Sequence, residues 1–477
     1  MIKFFNTLGH KKENFEPLKD KTVSMYVCGP TVYDYDHLGH ARTFIIFDCI
    51  RRFLEAEGYK VKYLQNITDV GHLTDDADQG EDKIEKKAKE EKIDPFKISR
   101  FYEEEHFKDM AALNVLKPDL SPRATEHIKD FIKSIERLIK TKHAYPKDGN
   151  VYFDVTSFPE YGKLSGRKLD ELLEAVRIEK DPRKKNPADF ALWKKADPKH
   201  LMQWDSPWGK GFPGWHIECS SLAQKYLGDT LDIHGGAVEL VFPHHENEIA
   251  QSESLTGRPL ARFWLHTGLV TIKGQKMSKS AGNFITIKDL LKEYDLDTIR
   301  IAILRTHWRK PFDWDQTSFE EAKKLARRLE RARLQRLSAR LPMTGTVGQA
   351  SDGEQARGEA QNVKTGYKTA IANALADDFN SPKALGIILE DMSKLSQSDF
   401  DYLEKIFGLK MRGKVKLTKK QEEMIRKREK AREENNFQKA DQIRKALEKE
   451  GIILEDTTEG TRVLMDSTGS PSTLSEK

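Results

Sequence analysis

A strand, a helix and a second strand follow one another near the start of the chain, and this order constrains the fold more than any other feature. Residues 23–28 have the apolar character of a buried strand, a turn follows at 29–30, and residues 41–57 carry apolar side chains at helical spacing. Residues 61–67 predict the second strand. Because such a unit builds a parallel sheet whose ligands bind beyond the carboxyl ends of its strands, we expect functional residues near 28–42.

Length, charge and cysteine content narrow the class of protein. A chain of 477 residues exceeds one ordinary hydrophobic core, so we expect two to four domains. It has no apolar run of about 18 residues or more and no apolar N-terminal stretch, so we expect a cytoplasmic protein without a membrane segment. Only three cysteines occur, which argues against a disulfide framework. The net charge is +5, so a nucleic-acid partner would have to meet a local basic surface.

Two motifs have the chemistry of a nucleoside triphosphate site. His-Leu-Gly-His at 37–40 lies where the first strand gives way to the helix, so its imidazoles and backbone N–H groups would face a phosphate at the helix N-terminus. Lys-Met-Ser-Lys-Ser at 276–280 lies between two glycines and offers two ammonium groups that neutralise charge on a leaving pyrophosphate. The alternatives are two ordinary loop histidines and a solvated basic loop.

Together the two motifs resemble the His-Ile-Gly-His and Lys-Met-Ser-Lys-Ser signatures of class I aminoacyl-tRNA synthetases, in the same order and with a similar wide separation. The resemblance implies an enzyme that uses ATP with Mg²⁺ to activate an amino acid. The histidines would stabilise the α-phosphoryl transition state and the lysines the leaving pyrophosphate. The side chains implied to act on ATP are His37, His40, Lys276, Ser278 and Lys279.

A second set of residues suits a metal ion. Cys28 closes the first strand, Cys219 lies far along the chain, and His244 and Glu248 are four residues apart. Two thiolates, one imidazole and one carboxylate are ligands that zinc accepts. If the last segment is helical, His244 and Glu248 share a face and His245 points elsewhere. The alternative is that the cysteines are ordinary buried thiols, as we expect for Cys49 in the helix.

Three segments around these residues resemble cysteinyl-tRNA synthetases: Cys-Gly-Pro-Thr-Val-Tyr-Asp at 28–34, Gly-Trp-His-Ile-Glu-Cys-Ser at 214–220 and Phe-Pro-His-His-Glu-Asn-Glu at 242–248. In that family the four positions of the metal set bind one zinc ion. The resemblance therefore implies that a bound zinc ion selects cysteine over serine, because zinc prefers a soft sulfur ligand.

The same resemblance implies further substrate contacts. Thr68 and Trp215 would line the cysteine pocket, and His234 and Gly235 would belong to the backbone segment that binds the adenosine of ATP. One departure concerns residues 71–80, which this chain inserts where many relatives continue directly into Asp-Asp-Lys. We interpret this insertion as a surface loop.

The fold implied is α/β, with a Rossmann-like catalytic domain that contains an insertion, followed by an all-α C-terminal region. Residues 374–382 resemble the entry to the family's helical bundle, and 426–455 resemble its small anticodon-binding module, whose basic side chains would contact tRNA phosphates. A solvated helix face is the alternative. The expected domains are 1–117 with 201–317 (catalytic), 118–200 (insertion), 318–410 (bundle, with a flexible linker at 342–362), 411–465 (anticodon module) and 466–477 (disordered tail).

The resemblance thus predicts a monomeric cysteine–tRNA ligase that forms cysteinyl adenylate and esterifies tRNA(Cys). Its partners would be ATP, L-cysteine and tRNA(Cys), with no membrane. Two alternatives stay open. One is a ligase that transfers activated cysteine to an amino-sugar, which would not need residues 364–465. The other is a non-catalytic zinc and RNA-binding protein derived from a synthetase, against which the intact histidine and lysine motifs argue.

Overall fold

The computed structural model describes residues 1–74, 80–167, 181–277, 282–338, 366–411, 417–450, 452–457 and 460–465. The expected linker at 342–362 and tail at 466–477 lie outside these residues. Within the described ranges, no helix is long and apolar enough to cross a membrane.

Fifteen strands are present in the described part of the chain. In order they are β1 (Lys3–Asn6), β2 (Lys11–Asn14), β3 (Thr22–Val27), β4 (Lys60–Leu64), β5 (Ala144–Lys147), β6 (Asn150–Phe153), β7 (Phe190–Lys195), β8 (Gly211–Pro213), β9 (Leu231–Ala237), β10 (Ala261–Thr267), β11 (Val270–Ile272), β12 (Gln275–Lys276), β13 (Phe312–Trp314), β14 (Ile452–Thr457) and β15 (Gly460–Met465).

The α-helices of the same described ranges are α1 (Leu38–Ala56), α2 (Lys83–Glu91), α3 (Pro95–Ala112), α4 (Ile128–Lys140), α5 (Trp215–Leu227), α6 (Glu246–Thr256), α7 (Ile287–Glu293), α8 (Leu296–Leu304), α9 (Gln316–Ser338), α10 (Gly366–Ala376), α11 (Ser381–Glu390), α12 (Gln397–Phe407), α13 (Lys419–Glu433) and α14 (Phe437–Lys449).

A parallel sheet of four strands forms the centre, in the spatial order β4-β3-β9-β10. The connection from β3 through α1 leads to β4 at one edge of the sheet. The connection from β9 through α6 leads to β10 at the opposite edge, so the strand order reverses between β3 and β9. Ligands of open parallel sheets bind at such a reversal, beyond the carboxyl ends of the strands. The Cys28 N–H donates to the Gly235 carbonyl at 3.1 Å and so extends this central pairing by one residue.

The predicted strand–helix–strand unit is confirmed as β3, α1 and β4. α1 begins at residue 38 rather than 41 because the side chain of His37 caps it. Nearly all apolar residues of α1 are buried in the largest hydrophobic cluster, which also contains side chains of the central sheet and of α8 to α12. The catalytic-region sheet and the helices that follow it therefore share one core.

A second sheet, antiparallel and in the order β5-β6-β7-β8, belongs to the segment interpreted as an insertion. α4 packs against it through a strongly apolar face that includes Phe131 and Ile135. Because β8 covers Gly211–Pro213, this sheet continues past residue 200, where we expected the insertion to end. The division of the chain into domains stays a prediction.

The C-terminal region is helical, as predicted, and it ends in a two-stranded hairpin, β14–β15, that the expected all-α arrangement did not include. α13, α14 and this hairpin share a small apolar cluster of their own, which contains Ile425, Leu447, Ile452 and Leu454. The cluster is separate from the main core, so the last module is held together by its own side chains.

A fully buried arginine ties the C-terminal helical region to the helices that flank the central sheet. The guanidinium of Arg300, on α8, donates to the carbonyl of Phe407 at 2.5 Å, to the carbonyl of Leu113 at 2.9 Å and to Asp48 Oδ2 at 2.5 Å. A buried charge is tolerated only when its hydrogen bonds are satisfied, and these acceptors come from three separate segments. Arg300 therefore fixes α1, the end of α3 and the end of α12 relative to one another.

Candidate active site

An open cleft of about 350 Å³ lies beyond the carboxyl ends of the central strands. Each of the four strands contributes a lining residue at or shortly after its end: Cys28, Thr68, Ala237 and Gly268. This is the edge of the sheet at which the sequence predicted functional residues.

The two histidines of the 37–40 motif form an ordered pair at the N-terminus of α1. Nδ1 of His37 accepts hydrogen bonds from the backbone N–H groups of Gly39 at 3.0 Å and His40 at 3.4 Å, so a neutral ring carries its proton on Nε2. The two imidazoles stack with 3.9 Å between their centroids. A Cβ at Gly39 would lie 2.8 Å from the His37 ring, which explains the glycine. The pair is suited to an anionic ligand at the helix N-terminus.

A buried carboxylate lies behind this pair. Asp36 Oδ1 is 2.6 Å from His40 Nδ1, and Asp36 Oδ2 is 2.5 Å from Nδ1 of His106, on α3. Burial alone would raise the pKa of Asp36, but His106 and then His40 hold that pKa well below its usual range. The ionised carboxylate therefore orients the His40 ring. Sequence reasoning missed both residues: Asp36 directly precedes the motif, but the pattern of α3 contains no signal for His106.

Lys276, the first lysine of the second motif, also lines the cleft. It is exposed in β12, forms an ion pair with Glu239, and its carbonyl accepts a hydrogen bond from Asn283 Nδ2 at 3.2 Å. Ser278 and Lys279 lie outside the described residues, so their expected contacts stay predictions.

Main-chain hydrogen bonds join the two motifs. The N–H of Leu38 donates to the carbonyl of Ile285 at 3.0 Å, and the N–H of Ile287 donates to the carbonyl of Asp36 at 2.9 Å. The segment that follows the lysine motif is thereby fixed against the start of α1. His37 and His40 of the first motif and Lys276 and Met277 at the start of the second line one cleft, although the motifs are far apart in the sequence.

Cys28, Cys219, His244 and Glu248 come together in one buried cluster whose ligand atoms all lie within 4.8 Å of one another. Cys28 Sγ is 4.0 Å from Cys219 Sγ and 3.6 Å from Glu248 Oε1, and His244 Nε2 is 3.1 Å from the same oxygen. Ligands about 2.0–2.3 Å from a tetrahedral zinc ion are separated by roughly 3.3–3.8 Å. The cluster therefore has dimensions that can hold a metal ion.

The orientation of His244 supports a metal site. Its Nδ1 lies 2.9 Å from Nδ1 of His216, so one ring donates to the other and the ring plane is fixed. Its buried Nε2 has no hydrogen bond of normal geometry to any residue that the structure describes. This buried nitrogen points at two thiols and a carboxylate but makes no such hydrogen bond, and a metal ligand has this arrangement.

The electrostatics of the metal-free cluster are asymmetric. Burial raises the pKa of Cys28 well above its ordinary value, and the neighbouring Cys219 adds to the shift. Burial would also raise the pKa of Cys219, but a hydrogen bond from Cys28 and the charge of His244 lower it to about 6. Burial would lower the pKa of His244, but the charge of Cys219 raises it to about 9. A metal ion would replace these protons, which makes its binding pH-dependent.

His245 contacts the cluster, so the prediction that it points elsewhere is wrong. Its Nε2 is 3.2 Å from Cys28 Sγ and 3.9 Å from Glu248 Oε1. Phe242 is the one residue of 241–245 with a non-helical backbone, so His245 continues directly into α6. It lies three residues before Glu248, and residues three apart on a helix are neighbours just as residues four apart are. His234 Nε2 is 2.8 Å from Glu248 Oε2 and joins a second, overlapping group with metal-binding geometry.

The structure does not place His234 and Gly235 in the cleft, where we expected them to bind adenosine. Both lie inside β9, whose backbone is paired with β3 and β10. His234 is fully buried and stacks on Trp264 at 4.6 Å, and a Cβ at Gly235 would lie 2.2 Å from the ring of Phe47. The residues that reach the cleft are Ala237, the last residue of β9, and Glu239 and Leu240, which follow the strand.

Thr68 and Trp215 both line the cleft. The Thr68 hydroxyl donates to Glu218 Oε2 at 2.9 Å and accepts from Asn66 Nδ2 at 3.0 Å. Burial raises the pKa of Glu218 well above its usual value, and the nearby Cys219 adds to the shift. Sequence reasoning missed Glu218, although it lies inside the Gly-Trp-His-Ile-Glu-Cys-Ser segment that it quoted.

The sequence of this chain is similar to those of known proteins. A protein family described as "tRNA synthetases class I (C) catalytic domain" matches residues 14–324. The cysteine–tRNA ligase of Chlorobaculum tepidum is 44% identical over 492 residues, with 96% of this chain and 98% of that protein covered. The chain belongs to the class I cysteine–tRNA ligase family. The cysteine–tRNA ligase of Deinococcus radiodurans is 43% identical, with 97% of this chain and 96% of that protein covered. The protein is therefore an aminoacyl-tRNA synthetase.

Solved structures of other synthetases share the fold of this synthetase. Mycobacterium tuberculosis methionyl-tRNA synthetase in complex with methionyl-adenylate aligns with a TM-score of 0.59 and 16% identity, covering 81% of this chain and 88% of that one. The LeuRS of Agrobacterium radiobacter K84 in its ternary complex aligns with a TM-score of 0.56 and 11% identity, covering 83% and 84%. At such identities the likeness shows the fold alone, and it confirms the predicted α/β class.

Proposed function

We propose that this synthetase activates L-cysteine with ATP and Mg²⁺ to cysteinyl adenylate and transfers the cysteinyl group to tRNA(Cys). The observation that carries the proposal is one cleft with two chemically different sets of side chains. One set suits a triphosphate: His37, His40 and Lys276. The other suits a metal ion and a small amino acid: Cys28, Thr68, Trp215, Cys219 and His244.

In the first step a carboxylate oxygen of cysteine attacks the α-phosphorus, the bond to the bridging oxygen breaks and pyrophosphate leaves. Negative charge grows on the α-phosphoryl oxygens and on the pyrophosphate. His37 and His40, at the N-terminus of α1, stabilise the first charge, and Lys276 stabilises the second once it leaves Glu239. Lys279 is expected to act with Lys276. No side chain needs to be a covalent nucleophile, because positioning and charge supply the catalysis.

In the second step a hydroxyl of the terminal adenosine of tRNA attacks the carbonyl carbon of the adenylate, and AMP leaves. The C-terminal module would hold the tRNA through phosphate contacts. Arg426, Lys427 and Lys430 are exposed on α13. Lys427 and Lys430 form surface ion pairs with Glu423 and Glu434, which phosphate contacts would replace. Arg428 is not, because it is buried and donates to Thr461 Oγ1 at 3.0 Å.

Zinc is the metal that the ligand set favours, held by Cys28, Cys219, His244 and Glu248, because thiolates select it over the harder magnesium and calcium ions. When bound, zinc supplies a soft Lewis acid that prefers the thiolate of cysteine to the hydroxyl of serine. An apolar pocket alone separates such near-isosteres by only about 100-fold.

The test is ATP–pyrophosphate exchange by the full-length, zinc-loaded enzyme with each amino acid in turn, followed by charging of tRNA(Cys). We expect exchange with cysteine and strong discrimination against serine. Cys219→Ala should lose both zinc and exchange, whereas Cys49→Ala, at a buried thiol outside the cleft, should keep zinc and exchange. Exchange that depends on another amino acid, or full zinc content in Cys219→Ala, would contradict the proposal.

The same assays decide between the alternatives. A ligase for an amino-sugar would show cysteine-dependent exchange but no charging of tRNA(Cys), and a non-catalytic RNA-binding protein would show neither activity. The match to cysteine–tRNA ligases over 98% of the Chlorobaculum tepidum protein, together with the exposed basic side chains of α13, supports tRNA as the acceptor. A cytoplasmic location and a monomeric state stay predictions, to be checked by cell fractionation and sedimentation.

A further inference from the structure

The first residues of the 71–80 insertion are not on the surface. Gly71, His72 and Leu73 are all buried, and His72 lines the cleft. The start of the insertion pairs with the residues that follow it: Leu73 forms a β-bridge with Asp82, and the N–H of Lys83 donates to the carbonyl of His72 at 3.0 Å. The backbone of His72 is thereby fixed at the wall of the cleft, which corrects the interpretation of these residues as a surface loop.

Both nitrogens of the His72 ring have defined partners. Nε2 is 2.9 Å from Lys83 Nζ, and Nδ1 contacts Thr31 Oγ1. An ammonium group only donates, so Nε2 accepts, and a neutral ring carries its proton on Nδ1 and donates it to the threonine hydroxyl. These contacts fix the plane of the imidazole.

That plane lies against Trp215. The rings of His72 and Trp215 stack with 3.9 Å between centroids and 14° between planes. The ring of His244 lies 4.0 Å from Trp215, at 33°. Trp215 is the first residue of α5, and Cys219 follows it by four residues on the same helix, so the indole and the thiol lie on one helix face.

We propose that His72 is a positioning residue of the amino-acid pocket: it holds the indole of Trp215 against His244, so that the pocket is already formed before cysteine binds. This inference rests on the proposed function. Without the imidazole, the indole can move into the space that the His72 ring occupied. Only a fraction of the molecules then keeps the pocket in the shape that binds cysteine. The apparent affinity for cysteine is then multiplied by that fraction, so a smaller competent fraction gives weaker binding. The contacts described for His72 are with Thr31, Lys83 and Trp215, on the amino-acid side of the cleft, so we expect ATP binding to be unaffected.

The experiment compares three substitutions of His72 in the full-length, zinc-loaded enzyme by cysteine-dependent ATP–pyrophosphate exchange. His72→Ala should raise KM for cysteine about five-fold, the size expected for one stacked ring pair. KM for ATP and kcat should stay within about two-fold of the wild-type values. His72→Phe, which keeps a ring against Trp215, should restore most of the affinity, and His72→Gln, which keeps polar atoms but no ring, should not.

His143→Ala is the matched control, because His143 stacks on Phe153 with 10° between planes but lies outside the cleft. It should leave KM for cysteine unchanged. An unchanged KM for cysteine in His72→Ala, or equal increases for cysteine and ATP, would overturn the proposal. If His72→Ala fails to fold, the comparison of His72→Phe with His72→Gln decides, and equal KM values in that pair would likewise overturn it. Absence of cysteine-dependent exchange in the wild-type enzyme would instead refute the proposed function itself.

Discussion

Asp36→Asn is the substitution that tests most directly how the histidine pair is held. Asparagine keeps the size of the side chain but removes the charge that lies 2.6 Å from His40 Nδ1 and 2.5 Å from His106 Nδ1. Contacts of a buried charge are worth about 1.5–3 kcal/mol each, and the amide retains part of them. We therefore take about 2 kcal/mol as the loss. If that loss falls on the transition state, the rate of adenylate formation falls about 30-fold.

The assay is the exchange rate at saturating cysteine and ATP, measured beside urea unfolding. Asp154→Asn is the control, since Asp154 pairs with Lys185 at 3.3 Å on the inserted segment, away from the cleft. It should leave the rate unchanged. A rate for Asp36→Asn within about two-fold of wild type, with reduced stability, would mean that Asp36 supports folding but does not orient His40.

The pH dependence of stability gives a second readout for the same variant. The folded pKa of Asp36 is held below its unfolded value, so its carboxylate stabilises the fold above the unfolded pKa, and that contribution is lost as the pH falls towards the folded pKa. Asparagine lacks this contribution. The difference in free energy of unfolding between the two proteins should be largest above about pH 5 and shrink below about pH 4. A difference that stays constant with pH would refute the assignment of the ion pairs.

Three further predictions concern other parts of the chain. Lys279→Ala should slow adenylate formation about 100-fold without changing the circular dichroism spectrum, because it removes one ammonium group from the leaving pyrophosphate. Truncation after residue 411 should preserve cysteine-dependent exchange but strongly weaken tRNA charging, because α13, α14 and the hairpin have a separate apolar cluster. Equal loss of exchange and charging would show that this C-terminal module supports the catalytic fold. Gly71→Ala should lower the free energy of unfolding by about 2–4 kcal/mol, because φ is positive and the new Cβ would lie 2.4 Å from the Pro213 carbonyl oxygen. Gly58→Ala is the control: φ is also positive there, but the Cβ would enter open space, so the loss should be about 1–2 kcal/mol.

The elements that the sequence predicted well are those whose signals are local. The apolar spacing of α1 and the strand on either side of it depend on neighbouring residues, and the reversal of strand order then places the cleft beyond β3. The contacts that join the two nucleotide motifs are of another kind. The hydrogen bond from Leu38 to Ile285 links residues that no periodicity connects, so only the folded chain reveals that the motifs share one cleft.

The residues that surround the predicted ligands could not be predicted either, because they too depend on contacts between distant parts of the chain. His106 and His216 act through contacts with Asp36 and His244 that depend on how α3 and α5 pack. His106 belongs to no motif, and His216 lies in the 214–220 segment, whose sequence does not show that its third residue meets His244. His245 was wrongly placed because spacings of three and of four residues both share a helix face, so the histidine at 245 reaches Glu248 as well as the histidine at 244 does.

The insertion at 71–80 shows how one backbone position can override a prediction made from amino-acid composition. A stretch rich in aspartate and glycine is ordinarily a surface loop, but the first three residues of this one are buried, and His72 among them lines the cleft. Gly71 has φ of +78°, its N–H donates to Asp82 Oδ2 at 2.7 Å, and the space for a Cβ is occupied by the Pro213 carbonyl. Only glycine lets the chain turn inward at this point, and the turn places the His72 ring against Trp215. A polar insertion can therefore form part of a binding pocket when it begins with a glycine whose backbone conformation and close neighbours exclude a side chain.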